Sequence, residues 1–365
     1  MFEKYIFDIK DPTNNHSFEI NDIDLSIVNG IRRTILTDIP IPGVIGEKLD
    51  NEDNSVNIIE NTGALHNEFI THRIGLIPIC LTEEEIELYE DNSLKLELNM
   101  KNEGNKTINV KSSDFKAYMN YDESPKTTLL ELFSPDTFAN DTIVITSLRP
   151  GEHLNFNSNV VQSPARDNAS FNPVSLSHFE SIQDPTEASK ADTMLDKERA
   201  YYKNKYGDPI RFKFNIEYIN INVGPKYLIA KSLDIMINKL NNIRQELVNL
   251  ETSKVIKLQQ FQDIEGCYEF IIENEDDTIG NIIQSQIHDK YIREKKKYNE
   301  YNCMYIGYIC PHPLKKVMIV RITLEDVTDE KVITSFLESN CKDIIDTLSN
   351  IKTNWNKFSI ENNVQ

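Results

Sequence analysis

Two stretches of this chain, 252 residues apart, carry one pattern, and that repeat limits the fold more than any other feature. Phe18-x-Ile20 falls on Phe270-x-Ile272, Asp24 on Asp276, and Ser26 on Thr278. Ile27, Asn29, Ile31 and Ile35 then fall on Ile279, Asn281, Ile283 and Ile287. Each copy reads as strand, acidic turn and capped helix, because an Asp, Ser or Thr just before apolar residues at steps of three or four marks a helix start. Later in each half comes another strand and then a long amphipathic helix. The first such stripe is Ile229, Leu233, Met236, Leu240, Ile243, Leu247 and Leu250. The second is Ile333, Leu337, Cys341, Ile344, Leu348, Ile351, Trp355 and Phe358. A stripe that long and narrow suits a helix paired with another long helix. Two copies of one unit can bury such stripes against each other about a pseudo-twofold axis, as dimers do.

The chain has 365 residues, more than one hydrophobic core usually serves. The expected class is α+β, in three parts. Residues 1–45 and 205–255 form the first dimerisation module, 46–204 an insert of mainly β structure, and 256–365 the second module. Within the insert, Leu94, Leu96 and Leu98 alternate with charged residues, as do Ile108 and Val110 after Gly104. That pattern predicts a hairpin. Ile143-Val144-Ile145, the turn at Arg149-Pro150-Gly151-Glu152 and His153–Phe156 predict a second strand–turn–strand. Residues 163–203 are polar and proline-punctuated, and read as long loop. Glu83-Glu84-Glu85 with Glu87 reads as a solvated helix face.

Lys and Arg number 39 against 58 Asp and Glu, a net charge of −19. Nucleic-acid binders gain affinity by neutralising phosphates, so extensive direct contact with DNA or RNA is not expected. The five cysteines (Cys80, Cys267, Cys303, Cys310 and Cys341) are odd in number and show no C-x-x-C spacing. Neither a disulfide framework nor a zinc knuckle is indicated. The acidic start lacks a signal-peptide core, and no apolar run approaches a membrane span. A reducing, aqueous compartment is the expectation. No Walker loop, G-x-S-x-G elbow, G-x-G-x-x-G fingerprint or Asp triad for magnesium is present.

The residues from Asp24 to Pro40 (Asp-Leu-Ser-Ile-Val-Asn-Gly-Ile-Arg-Arg-Thr-Ile-Leu-Thr-Asp-Ile-Pro) resemble the N-terminal signature of the alpha-like subunits of cellular RNA polymerases. Asn61 to Pro78, with Asn-Glu-Phe-Ile-Thr-His-Arg-Ile-Gly-Leu-Ile-Pro at its end, is similar to the next signature of the D-like archaeal and eukaryotic branch. Asn274–Asn281 and Gly307–Pro313 resemble the smaller partner, the archaeal L type and its polymerase II counterpart. The resemblance covers nearly the whole chain and implies two alpha-like modules, normally separate proteins, fused into one. That arrangement is similar to one found in large nucleocytoplasmic DNA viruses. It implies a viral factory in the cytoplasm and packaging into virions, with the host nucleus as the alternative. The cysteine cluster of some D-like relatives is missing, so neither metal nor cofactor is expected. The stretch between His288 and Gly307 is longer than the family usually has.

The resemblance further implies a non-catalytic assembly platform for a DNA-directed RNA polymerase. Its partners would be the two largest subunits, chiefly the second-largest, and small polymerase subunits. No membrane contact and no homo-oligomer are expected. Candidate partner-interface residues are Asn29, Arg32, Arg33, Glu68, His72 and Arg73. Adjacent residues on a helix diverge by about 100°, so one of Arg32 and Arg33 can follow the dimer seam while the other reaches out. A plain surface pair is the alternative. Asn29 and Asn281 either fix the register of the two modules or act as local caps. His66 and His72, six residues apart, do not share a helix face as a zinc pair four apart would. Phe69, Ile70 and Ile74 are expected to anchor their segment, and His312 to mark a stiff turn. The intramolecular seam is expected to use Leu233, Met236, Leu240, Asn281, Leu337, Ile344, Leu348, Ile351 and Trp355. A free-standing interaction or virion-packaging protein reusing the dimer fold is the competing function, and a metal enzyme sited in the insert is a third.

Overall fold

The computed structural model describes residues 1–7, 15–46, 55–119, 132–133, 141–261, 266–312, 314–327 and 329–364. The chain opens with strands β1 (Phe2–Phe7) and β2 (Asn15–Asn21) and helix α1 (Leu25–Thr37). Asp24 caps α1, accepting from the Ser26 N–H at 2.8 Å. The insert follows with β3 (Pro40–Gly43), β4 (Val56–Asn61), α2 (Asn67–Gly75), α3 (Glu83–Glu87), β5 (Leu94–Lys101), β6 (Ile108–Lys111) and β7 (Lys116–Met119). It closes with β8 (Val144–Leu148), β9 (His153–Asn159) and β10 (Val161–Pro164). The first module resumes with β11 (Val174–Ser181), short helices α4 (Pro185–Ala188) and α5 (Met194–Glu198), β12 (Arg211–Tyr218) and α6 (Pro225–Val248). The second module runs β13 (Ile256–Gln260), β14 (Cys267–Glu273), α7 (Asp277–Ile287), β15 (Cys303–Ile309), β16 (Val317–Leu324) and α8 (Glu330–Glu361).

Both modules have the same plan. One antiparallel sheet runs β1-β2-β12-β11 and the other β13-β14-β16-β15, with order and chain sequence corresponding strand for strand. Strand alternation puts Phe18, Ile20, Phe212 and Phe214 inside one sheet, and Phe270, Ile272, Val320 and Ile322 inside the other. The long helices α6 and α8 pack antiparallel, since Asp234 meets Lys352 at 2.6 Å while Arg244, further along α6, meets Glu338, earlier on α8. Leu233, Met236, Leu240, Leu337, Ile344, Leu348, Ile351 and Trp355 are all buried, and the Trp355 indole donates to Lys226 O at 3.1 Å. Burial of one such side chain contributes roughly 1.5–3 kcal/mol, whereas a partly exposed ion pair contributes about 0–1 kcal/mol. The apolar stripe therefore supplies the cohesion of the seam, and the ion pairs set its register.

Three expectations about the insert and its borders need correction. Val174–Ser181, expected as loop, is β11, and it pairs with β12 along its length. The polar Ser175, His178 and Glu180 disguise it, because an edge strand with one solvated side needs few apolar residues. The insert's own sheets accordingly end near Pro164, well short of residue 204. The hairpin expected of β5 and β6 does not form, whereas β8, the turn at Pro150-Gly151 and β9 follow as the expected strand–turn–strand, although the two strands pair elsewhere. β5 pairs with β7 and β9, while β6 pairs with β8, so the chain crosses between two sheets at each turn. Asn102, almost fully buried, joins the two crossings, donating to Lys106 O and Leu148 O, both at 2.8 Å. The acidic helix α3 is not merely solvated, since Glu87 accepts from the Tyr227 hydroxyl at 2.7 Å and pairs with Lys231 on α6. Around His312, the ring Nδ1 accepts from the Leu314 N–H at 3.1 Å, while Pro313 lies outside the described residues.

Candidate partner interface

Helices α1 and α7 meet at the seam, and side chains cross it in both directions. The Arg33 Nε donates to Thr278 Oγ1 on α7 at 3.0 Å. Reciprocally, the Ser285 hydroxyl donates to the Asp24 carboxylate of α1 at 3.1 Å. The repeat offset maps Arg33 onto Ser285 and Asp24 onto Asp276, so both crossings join one helix's body to the other's capped start. At the centre, a Cβ on Gly30 would lie 2.9 Å from Ile282 Cδ1. Residue 282 is the repeat equivalent of residue 30, so the axis passes between these two positions, as an isologous contact requires.

Arg33 thus follows the seam. Arg32 turns to its own helix, its Nε donating to Asn29 Oδ1 at 2.9 Å. Asn29 and Asn281 are half-buried on their respective helices, and Asn29 is spent on this local bond. Glu68, His72 and Arg73 are exposed on α2 in the insert, apart from the α1 residues, and the Arg73 Nη2 donates to Val144 O at 2.7 Å. Ile70 and Ile74 are buried as anchors, but Phe69 is not: it is 62% exposed. The physical reason is helical phase, since Phe69 lies about 100° from Ile70 and points away from the sheet below. Leu65, Phe69, His72 and Leu76 follow at steps of three or four and form an exposed stripe. Behind it the backbones of Gly46 and Gly75 pack closely, a Cβ on Gly75 meeting Gly46 N at 3.0 Å, so neither position has room for a side chain.

A charged joint connects the seam to the insert, and no motif in the chain marks it. Arg166, just after β10, reaches Asp38 at the end of α1 at 2.6 Å and Asp276 at the cap of α7 at 2.7 Å. Lys239 on α6 reaches Asp38 at 2.8 Å and Glu275 at 3.7 Å. Burial raises the Asp38 pKa, but the charge and hydrogen bond of Lys239, with bonds from Thr37 and Arg166, outweigh it and hold the carboxyl below its usual range. Glu275 behaves oppositely. Burial dominates, Asp276 and Asp38 add to it, and despite Lys239 and Arg166 the carboxyl is pushed up to about 7. Only the alignment of Asp276 with Asp24 pointed to this region.

Among the described residues no group of three or more His, Cys, Asp or Glu is placed to hold a metal ion. Among the same residues no helix is long and apolar enough to cross a membrane.

Comparison with known proteins agrees with this geometry. Residues 267–354 match the family described as the RNA polymerase Rpb3/Rpb11 dimerisation domain. The chain is 27% identical over 191 residues to DNA-directed RNA polymerases I and III subunit RPAC1 of Homo sapiens, covering 47% of this chain and 53% of that protein. It is 28% identical over 160 residues to DNA-directed RNA polymerase subunit Rpo3 of Thermococcus kodakarensis, covering 43% and 51%. Against DNA-directed RNA polymerases II, IV and V subunit 3 of Arabidopsis thaliana it is 25% identical over 181 residues, covering 44% and 52%. The chain spans about half the length of the curated relatives it matches. The second half of the chain thus matches the Rpb3/Rpb11 dimerisation domain, and nearly half of the chain is similar to DNA-directed RNA polymerase subunits such as RPAC1 and Rpo3.

Proposed function

We propose that this chain is the assembly platform of a DNA-directed RNA polymerase, a fusion of both alpha-like partners that brings the two largest subunits together. The observation that carries the reading is the reciprocal crossing of α1 and α7, Arg33 to Thr278 and Ser285 to Asp24, about the Gly30–Ile282 contact. Such pairing normally needs two chains, and here one chain supplies both. The exposed stripe Leu65, Phe69, His72 and Leu76, with Glu68 and Arg73, is the surface for the second-largest subunit. Truncated apolar anchors at the centre of an interface typically lose the most affinity. The isolated chain performs no catalysis in this reading, and small polymerase subunits complete the assembly. A viral source, a cytoplasmic factory and packaging into virions belong to the same proposal.

The test is co-expression with the two largest polymerase subunits. The expected result is one complex containing all three, no nucleotide incorporation by the chain alone, and at least tenfold weaker assembly for Phe69→Asp. Phe69 is mostly exposed, so the variant should melt like the wild type. Assembly untouched by Phe69→Asp would remove the stripe from the interface. A chain that never joins the large subunits, but recruits capsid or regulatory proteins, would replace the polymerase reading with the packaging one.

A further inference from the structure

The outer faces of the two sheets are twofold-related yet chemically different. In the first sheet one row across the strands reads Glu3, Glu19, Lys213 and Glu180. Lys213 lies 3.7 Å from Glu180, and Lys4 lies 2.8 Å from Glu19. The same row of the second sheet reads Lys257, Ile271, Ile319 and Ile309. The repeat offset confirms the match, placing Glu19 on Ile271. Ile309 is 56% exposed, Ile271 and Ile319 are half-buried, and Tyr305, on the same face, is 48% exposed. A sheet with one wet face alternates apolar inward and polar outward. The first sheet obeys that rule in this row and the second does not.

The rim of the apolar row indicates what covers it. Lys257, with Glu273 3.7 Å away, stands at one end, and the exposed Lys315 and Lys316 stand on the turn entering β16. In the next row Arg321 is held by Glu269. A cationic rim in a chain of net charge −19 favours an acidic partner, while the same net charge opposes a second copy. Strand addition beside β15 is obstructed, because the Tyr308 N–H already donates to Gln284 Oε1 at 3.3 Å. A helix laid on the open face remains, the arrangement by which a sheet covers its second side.

We propose that the outer face of β14, β16 and β15 docks an amphipathic helix of another protein, its apolar anchors on Ile271, Ile319 and Ile309 and its acidic flanks facing Lys257, Lys315 and Lys316. This surface is distinct from the α2 stripe, and its test involves no polymerase subunit. The probes are a synthetic helical peptide with leucines along one face and flanking glutamates, and its twin with flanking lysines. The full chain is compared with a variant carrying the sister row (Ile271→Glu, Ile319→Lys, Ile309→Glu), and with Ile309→Glu alone. The sister sheet demonstrates that this row suits the architecture, and circular-dichroism melting checks both folds. Fluorescence anisotropy at physiological salt should show the glutamate peptide binding at least tenfold tighter than its twin, and both variants weakening it at least tenfold. No binding, equal binding of the two peptides, or binding unchanged in the variants overturns the proposal. So does sedimentation in which the wild type dimerises through this row and the variants are monomers, since the occupant is then a second copy.

Discussion

At the residue scale, one glycine controls how closely the two modules approach. Gly30 sits on the axis with Ile282 Cδ1 and Met236 Sδ at 2.9 and 3.1 Å from where a Cβ would be. The first is a terminal methyl and the second belongs to an unbranched, flexible methionine, so Gly30→Ala should be close to neutral. The gain of about 1 kcal/mol in helix propensity offsets a small adjustment. Gly30→Leu must instead find room for a whole side chain between packed helices, which typically costs about 1–3 kcal/mol. Chemical denaturation should show that loss, and Ile282→Ala, which vacates the opposite side of the axis, should recover part of it. Additive losses in the double variant would mean that the two positions do not share the axis. The repeat made Ile282 legible as the counterpart of Gly30, but not their contact, because an offset gives equivalence and not distance.

At the element scale, the central strands and helices were readable and the edges were not. β2 and β12 alternate strongly, β14 and β16 are rich in apolar and β-branched residues, and α1 and α7 carry Asp caps with periodic isoleucines. β11 carries too few apolar residues to read as a strand because only part of its surface is buried, and the insert's short strands do not reveal which partner each one finds. The joint of Arg166, Asp38, Lys239, Asp276 and Glu275 was invisible for a similar reason: its members come from the insert, both modules and a loop. Its acid–base balance makes a prediction. The Glu275 carboxyl is near 7 in the folded chain and near 4.5 when unfolded. Both states are protonated at low pH, so the group then costs nothing. As pH rises from about 4.5 to 7 the unfolded chain ionises first, and folding loses stability until both states are charged. Glu275→Gln removes that penalty and should stabilise the chain by up to about 3 kcal/mol at pH 8, but by less than about 0.5 kcal/mol at pH 4. Denaturant midpoints of the two proteins across this range give the answer, and a constant difference would mean that Glu275 does not titrate there. Arg166→Met should act in the other direction, leaving Asp38 and Asp276 buried with less compensation, at a cost of about 2–4 kcal/mol at neutral pH.

At the scale of the whole molecule, the connection between modules is short and carries little of the interface. α6 ends at Val248 and β13 begins at Ile256, whereas the α6–α8 and α1–α7 seams hold the buried side chains. Covalent linkage then acts mainly by raising the effective concentration of one module near the other, with no new contact. Cutting the chain in the turn at residues 251–253 should therefore leave the fold intact. Residues 1–251 and 254–365, produced together, should form a one-to-one complex with the same circular-dichroism spectrum and a stability that depends on concentration. Produced alone, each piece exposes half of the long-helix seam and should aggregate, as should the uncut chain carrying Leu348→Asp, which buries an unpaired charge there. If residues 254–365 instead prove soluble, folded and monomeric alone, the stripe on α8 does not need α6. The two ends of the chain would then be neighbours by linkage, and the platform would have to be built from some other pair of surfaces.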